Sequence, residues 1–223
     1  MKKILTLVLL TAMLISLCAC GAKAPEQPEP AEPSATADIF FTALKTQDDE
    51  TMATVYAGGK LDLLATAAQM DNLDKVIEDT GLSAVYEEEM KPKLLDFDYE
   101  LSNEQIDGDK ATVDVKIRTY GMGEAFTETF NDFIAQAFIM MALTNATEEE
   151  IAAKAAEALT AKLTQLNTKN YEKTATLSMT KVEDQWIVDE LKSDDAIVDV
   201  LTGGLVSAVN GVLDSIPEWM LKN

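Results

Sequence analysis

The chain contains no histidine, and its two cysteines, Cys18 and Cys20, both lie near the start. Without imidazole there is no usual general base at neutral pH, no Ser-His-Asp or Cys-His nucleophile system and no histidine-ligated zinc. Without thiols after Cys20 there is no disulfide framework and no thiolate metal site. Basic residues are scarce as well: 18 Lys and Arg stand against 39 Asp and Glu, a formal charge of −21. Binding to a phosphate backbone needs a basic surface, so nucleic acid is excluded as a partner, and anionic lipid headgroups repel such a domain. Chemistry that remains must run on Asp, Glu, Lys, Tyr or Ser. No two of the many acids are set apart for glycoside hydrolysis, and few aromatics are placed to stack a sugar. The expectation is therefore a protein that is not an enzyme and carries no cofactor and no metal.

What is present begins with an export leader. Lys2 and Lys3 form a positive start, an apolar run extends from Ile4 to Leu17, and Ala19 precedes Cys20. A signal peptide needs that order: basic end, short apolar core, small residue at the cleavage point. The apolar core is about 14 residues, whereas a spanning helix needs about 20. Residues 1–19 resemble a bacterial lipoprotein signal peptide, with Leu17 at −3 and Ala19 at −1 of the lipobox; Cys18 at −2 departs from the usual pattern. That resemblance implies a diacylglycerol thioether on Cys20, with palmitate-type acyl chains, as the mature N-terminus. Two chains bury enough methylenes, at roughly 0.8 kcal/mol each, for stable anchoring. The implied location is the extracytoplasmic face of the cell membrane, with the lipid as the membrane partner.

Residues 20–37 hold the lipidated Cys20 and a Pro/Glu/Ala-rich tether without a large apolar side chain. Pro-rich chain favours extended conformations and reaches roughly 50 Å at about 3.1 Å per residue. Residues 38–223 suit a single α+β extracytoplasmic domain. Helical spacing runs from Ala37 to Ala57 with an acidic break at Asp48, and again from Lys60 to Asp79, where Gly81 ends it. A short acidic helix from Val85 to Met90 is expected to close at Pro92.

The period then changes. Leu95, Phe97, Tyr99 and Leu101 alternate with polar residues, as do Val113, Val115 and Ile117 after a turn at Asp107-Gly108. Such alternation predicts half-buried strands. A two-residue Asp-Gly loop would set core residues opposite solvent-facing ones, so a three-residue loop with left-handed Gly108 is expected. That register places Asp98 opposite Lys116 and Asp96 opposite Arg118. A second strand pair spans Thr174 to Lys181 and Trp186 to Val188, with Lys181 opposite Trp186 and Met179 opposite Val188.

Between the strand pairs lies an αα-hairpin. Phe126, Phe130, Phe133, Ile134, Ala137 and Met141 form one stripe, and Thr147 with Glu150 matches a capping box that opens a helix to about Leu166. Ser193 is placed to cap a last helix with Ile197, Leu201, Leu205, Ala208, Val212 and Ile216 inward. Gly203-Gly204 inside it costs about 1 kcal/mol each, which predicts a bend or a close neighbour. The fold class is α+β: a curved antiparallel sheet of about four strands packed against several helices.

The stretches Leu94 to Tyr99, Asp107 to Val113 and Gln185 to Val188, behind a lipobox and a tether, resemble those of Gram-positive lipoproteins with a cystatin-like or nuclear-transport-factor-2-like domain of unknown function. The resemblance implies helices on a curved sheet and brings no catalytic residue with it. Other constellations fail on their own chemistry. Gly121-Met122-Gly123 puts Phe126 where a dinucleotide loop needs Gly or Ala, and the runs Glu87 to Glu89 and Glu148 to Glu150 lack the alternation and Gly turn of a calcium loop. Tyr99, Met179 and Trp186 are the candidate lining of a pocket between sheet and helices. The functional expectation is an acidic, membrane-anchored, non-catalytic binding or interaction module for an envelope protein, peptide or small ligand. The alternatives are a small-pocket isomerase or hydratase using a carboxylate and Tyr99, and an accessory solute-binding lipoprotein, which needs two lobes.

Overall fold

Period-2 alternation builds an open sheet with one dry face. The computed structural model describes residues 32–68, 83–140 and 146–215. Four strands, β1 (Asp98–Asp107), β2 (Lys110–Thr119), β3 (Tyr171–Val182) and β4 (Gln185–Val188), pair antiparallel in the order β1-β2-β3-β4. Val113, Val115, Ile117, Leu177, Met179 and Val188 all point inward and are fully buried. Acids, threonines and lysines at the alternate positions face solvent, the usual division for a sheet covered on one side. The β3–β4 register is the expected one, with Lys181 opposite Trp186 and Met179 opposite Val188.

The first hairpin departs from expectation in an informative way. Its loop has two residues, Gly108 and Asp109, with Asp107 opposite Lys110 and Gly108 at φ +60°. The parity conflict is removed further along: a bulge between Ser102 and Gln105, with Asn103 at φ 50°, inserts one residue and turns Tyr99 and Leu101 back to the core. Asp98 therefore faces Arg118 and Glu100 faces Lys116, in place of the pairs Asp98–Lys116 and Asp96–Arg118. The bulge also aims Glu104 at the next layer, where it accepts the Ser34 N–H (2.8 Å) and the Ser34 hydroxyl.

That contact caps helix α1 (Pro33–Thr46), which begins inside the stretch assigned to the tether. Proline is pre-set for the first helical position, and Thr36 and Ala37 are already buried, so the domain takes up the chain from Pro33 rather than residue 38. Phe40 and Phe41 of α1 are fully buried with their rings edge-to-face at 5.1 Å, and Phe41 also meets Phe97 and Tyr99. Helix α2 (Asp49–Val55) is capped by Asp48, and the Ala57 N–H donates to Val188 O at 2.9 Å along the β4 edge. Helix α3 (Leu63–Ala68) follows; the remainder of the helix expected to reach Asp79, and Gly81, lie outside the described residues.

Pro92 does not close the acidic helix. Val85–Met90 is a π-helical turn in which the Lys91 N–H reaches the Tyr86 carbonyl, and α4 (Lys91–Leu95) continues from it. The widened turn leaves Pro92 at the start of a new α-turn, where its missing N–H is not needed. Leu95 thus ends a helix, and the strand begins three residues later than its alternation suggests.

The hairpin helices α5 (Met122–Ile139) and α6 (Glu148–Leu163) join β2 to β3. Both capping-box bonds form: the Thr147 hydroxyl accepts the Glu150 N–H (3.2 Å) and Glu150 accepts the Thr147 N–H (2.9 Å). After β4, α7 (Ala196–Leu201) starts at Asp195, whose carboxylate takes the Lys192 N–H at 2.7 Å; Ser193 lies before this cap instead of providing it. At Gly203-Gly204 the helix breaks, with φ +62° and +82°, before α8 (Leu205–Ser215); Ile216 lies outside the described residues. The glycines are required. A Cβ on Gly203 would sit 2.0 Å from Tyr120 O, and one on Gly123 would sit 2.2 Å from Gly204 O. The Gly123 N–H donates to Gly203 O at 3.0 Å, so two backbone corners interlock.

Two apolar clusters result. One lies between the sheet and α1, α2 and α7, and the other joins Met122, Ala125, Leu163 and Leu205 with Val85 and Leu94. Among the described residues no helix is long and apolar enough to cross a membrane.

Candidate functional site

Of the residues singled out from sequence, Cys20 lies outside the described residues. Tyr99, Met179 and Trp186 do not converge. Tyr99 stands opposite Ile117, which stands opposite Lys173 on the next strand, while Met179 is six residues further along β3, roughly 20 Å at about 3.3 Å per residue. Met179 is fully buried and Trp186 is 5% exposed, both as packing within the sheet core. The Tyr99 hydroxyl donates to Asp38 Oδ1 at 2.7 Å, at the exposed edge of α1. Burial pushes the Tyr99 phenol up, with Asp38 adding to it against the Thr42 hydrogen bond. Alternation assigns a residue to a face, but it does not say where along the strand the helices leave space.

A polar network gathers at the start of β1, next to Tyr99, around the two carboxylates that the expected register had paired with Lys116 and Arg118. Lys169, in the connection from α6 to β3, donates to Asp96 Oδ1 (2.6 Å) and Asp98 Oδ1 (3.1 Å). Arg118 donates to Asp98 Oδ2 at 2.9 Å and the Tyr120 hydroxyl donates to Asp96 Oδ2 at 2.9 Å. The Lys169 hydrogen bonds hold both carboxyls below their ordinary values, while the bond to Asp96 raises the Tyr120 phenol. Burial works against the Lys169 charge, yet its two carboxylates outweigh it and raise the ammonium pKa. Each member satisfies another, so the network staples the chain entering β3 to the β1–β2 pair. Lys169 belongs to no periodic pattern and gave no signal. The other acidic runs are engaged as well: Glu87 with Lys91, Glu89 with Lys93, and Glu150 in the helix cap.

Concavities open at several places on the described surface. One of about 380 Å³ lies among α1, α2, α3 and α4, where its charged lining is paired as Lys60–Asp49 (2.8 Å) and Lys91–Glu87 (3.1 Å). One of about 200 Å³ sits at the glycine interlock, beside the buried Tyr171 hydroxyl, which makes no hydrogen bond. Burial raises that phenol against the pull of Lys173, whose ammonium lies 5.1 Å from the ring centre. Another, about 260 Å³, is a trough on the hairpin. Phe126, Phe130 and Phe133 of α5 form one wall, and Ala152, Ala156 and Leu159 of α6 form the other. Its origin is a size mismatch: alanines at helical spacing are too short to fill the space between phenylalanine rings. Partly exposed rings set around a groove mark an interaction surface more often than scattered single side chains do. This trough is the candidate functional site.

No family model and no curated protein matches the chain. Among solved structures it is similar to a candidate lipoprotein from Bacillus subtilis, YcdA, at 17% identity, with 79% of this chain and 55% of that one covered and a TM-score of 0.42. The chain spans about half the length of that protein.

Proposed function

We propose that the chain is a lipoprotein anchored through Cys20 to the extracytoplasmic face of the cell membrane, with a folded domain that acts as a non-catalytic binding module. One observation carries the reading: the order of Lys2-Lys3, apolar run, Ala19 and Cys20. Residues 1–19 are the leader, residues from Cys20 to Glu32 the tether, and the folded part follows. The domain is read as a variant of the cystatin-like or nuclear-transport-factor-2-like arrangement, with α1 and α7 laid across one face of a four-stranded sheet. Its acidity supports a body held off from anionic headgroups, and the hairpin trough supports recognition of an apolar side-chain surface on an envelope protein or peptide.

Replacing the modified residue tests the anchor. The variant Cys20→Ser, expressed in a Gram-positive host fed labelled palmitate, is expected to lose the label and leave the washed membrane fraction. Retained label on that variant would overturn the assignment. Substrate turnover that disappears with a defined Asp, Glu or Tyr would overturn the binding-module reading.

A further inference from the structure

We propose that the cavity of about 380 Å³ among α1, α2, α3 and α4 is a second binding site, for a small zwitterion with an aliphatic side chain: an amino acid or a short apolar peptide. The inference rests neither on lipidation nor on the hairpin trough. Pockets for small ligands hold about 300–1,000 Å³ and join an apolar lining to a few convergent polar groups. This cavity has both parts. Its floor is Ala43, Leu44, Met52, Leu63 and Leu94, all buried. The first four belong to the sheet-side cluster and Leu94 to the second one, so the cavity opens at the seam between the two clusters. An aliphatic side chain seated there is held by well-packed walls from both.

The polar lining fixes the class of ligand. Lys60 donates to Asp49 at 2.8 Å, and Lys91 donates to Glu87 at 3.1 Å, and all four side chains line the cavity. Asp49, Lys60 and Glu87 are exposed and Lys91 is half-buried, so water screens both pairs and neither is held tightly. Such a pair is open to exchange. A ligand carboxylate takes the lysine while the ligand's own ammonium takes the carboxylate, and every charge stays compensated. A simple anion or a simple cation would break one pair and leave a partner alone, and the chain's −21 disfavours an anion further. Exchange therefore selects a molecule that carries both charges. Two departures of the backbone open on this same cavity. Tyr86 and Glu87 belong to the π-helical turn Val85–Met90, a geometry that recurs at functional sites. Gln47 ends α1 at φ 54°, where glycine is the usual residue, and so sets a long amide in the cavity wall. That amide offers both a donor and an acceptor to a ligand's polar end.

The test titrates the full chain by calorimetry with leucine, Leu-Leu and Leu-Leu-Leu, each beside its N-acetylated and its C-amidated form. At least one free form is expected to bind saturably, and which one binds best separates an amino acid from a peptide as the source. Blocking either end is expected to weaken binding by at least about tenfold, the loss of one charged hydrogen bond. The double variant Lys60→Gln, Lys91→Gln is expected to bind the free and the C-amidated forms equally. Leu64→Trp, which fills the cavity from its wall, is expected to abolish binding with the circular dichroism spectrum kept; the lysine variant decides independently if that fold is lost. Hydrogen exchange with ligand bound is expected to slow at residues 43–52, 60–66 and 86–95 and to stay unchanged at 126–133. Absence of saturable binding by every free form, equal affinity of blocked and free forms for the unaltered chain, or slowing confined to the hairpin trough each overturns the proposal.

Discussion

Phe41 and Phe130 both project from helices onto a neighbouring element, yet their surroundings differ. Phe41 is fully buried between α1 and the β1 end of the sheet, ringed by Phe40, Phe97 and Tyr99. Phe130 is half-buried at the lip of a trough whose opposite wall is alanine. The sheet side closes because its inward residues are large on both layers. The hairpin side stays open because α5 supplies rings and α6 supplies methyl groups. Similar hydrophobic content therefore yields one region that stores stability and another that presents an unfilled surface. The binding role proposed here belongs to the second region.

The comparison can be broken first at the joint between the regions. Gly203→Ala must place a Cβ against Tyr120 O and hold φ +62°, so overpacking and left-handed strain together are expected to cost about 3–5 kcal/mol in urea unfolding. Gly211→Ala meets open space inside α8 and is expected to stabilise by about 0.5–1 kcal/mol. If the two alanines behave alike, the interlock does not hold the regions together.

Next in size is the pair of phenylalanines. Phe41→Ala is expected to cost about 3–5 kcal/mol. Phe130→Ala is expected to cost about 1–2 kcal/mol, since its ring is only partly removed from water. Equal losses would mean that the trough is as closed as the sheet core. Thr147→Ala removes the capping box at the start of α6 and is expected to cost about 1 kcal/mol, read from the thermal midpoint.

The smallest effect concerns the polar staple. Lys169→Met is expected to cost no more than about 1 kcal/mol at neutral pH, because its partners Asp96 and Asp98 are exposed. The folded-state pKa of both carboxyls is depressed, so their contribution is present above the unfolded value and is lost as pH falls. The gap between wild type and variant is therefore expected to narrow in unfolding curves taken from about pH 5 down to about pH 3. A gap that widens on acidification would show that Lys169 acts through packing instead.

How much of this was legible depends on the range of each signal. Thr147 with Glu150, and Lys181 with Trp186, are local patterns, and both formed as the sequence indicates. The first hairpin was half legible: parity showed that an adjustment was needed, but Asn103 carries no mark that distinguishes a bulge from a longer loop. Pro92 misled because a π-turn upstream made room for it, and helix α1 began early because Glu104, about seventy positions away, caps it. The glycines at 203 and 204 announced a break, while their partner Gly123 was visible only once the two corners met. Pocket residues were the least legible, since a cavity is set by what the opposing layer fails to fill.

The most direct measurement is the intact mass of the N-terminal fragment of protein recovered from membranes. The account predicts a chain beginning at Cys20 and carrying a diacylglyceryl group on its sulfur. An unmodified cysteine there, or a fragment still starting at Met1, would contradict it.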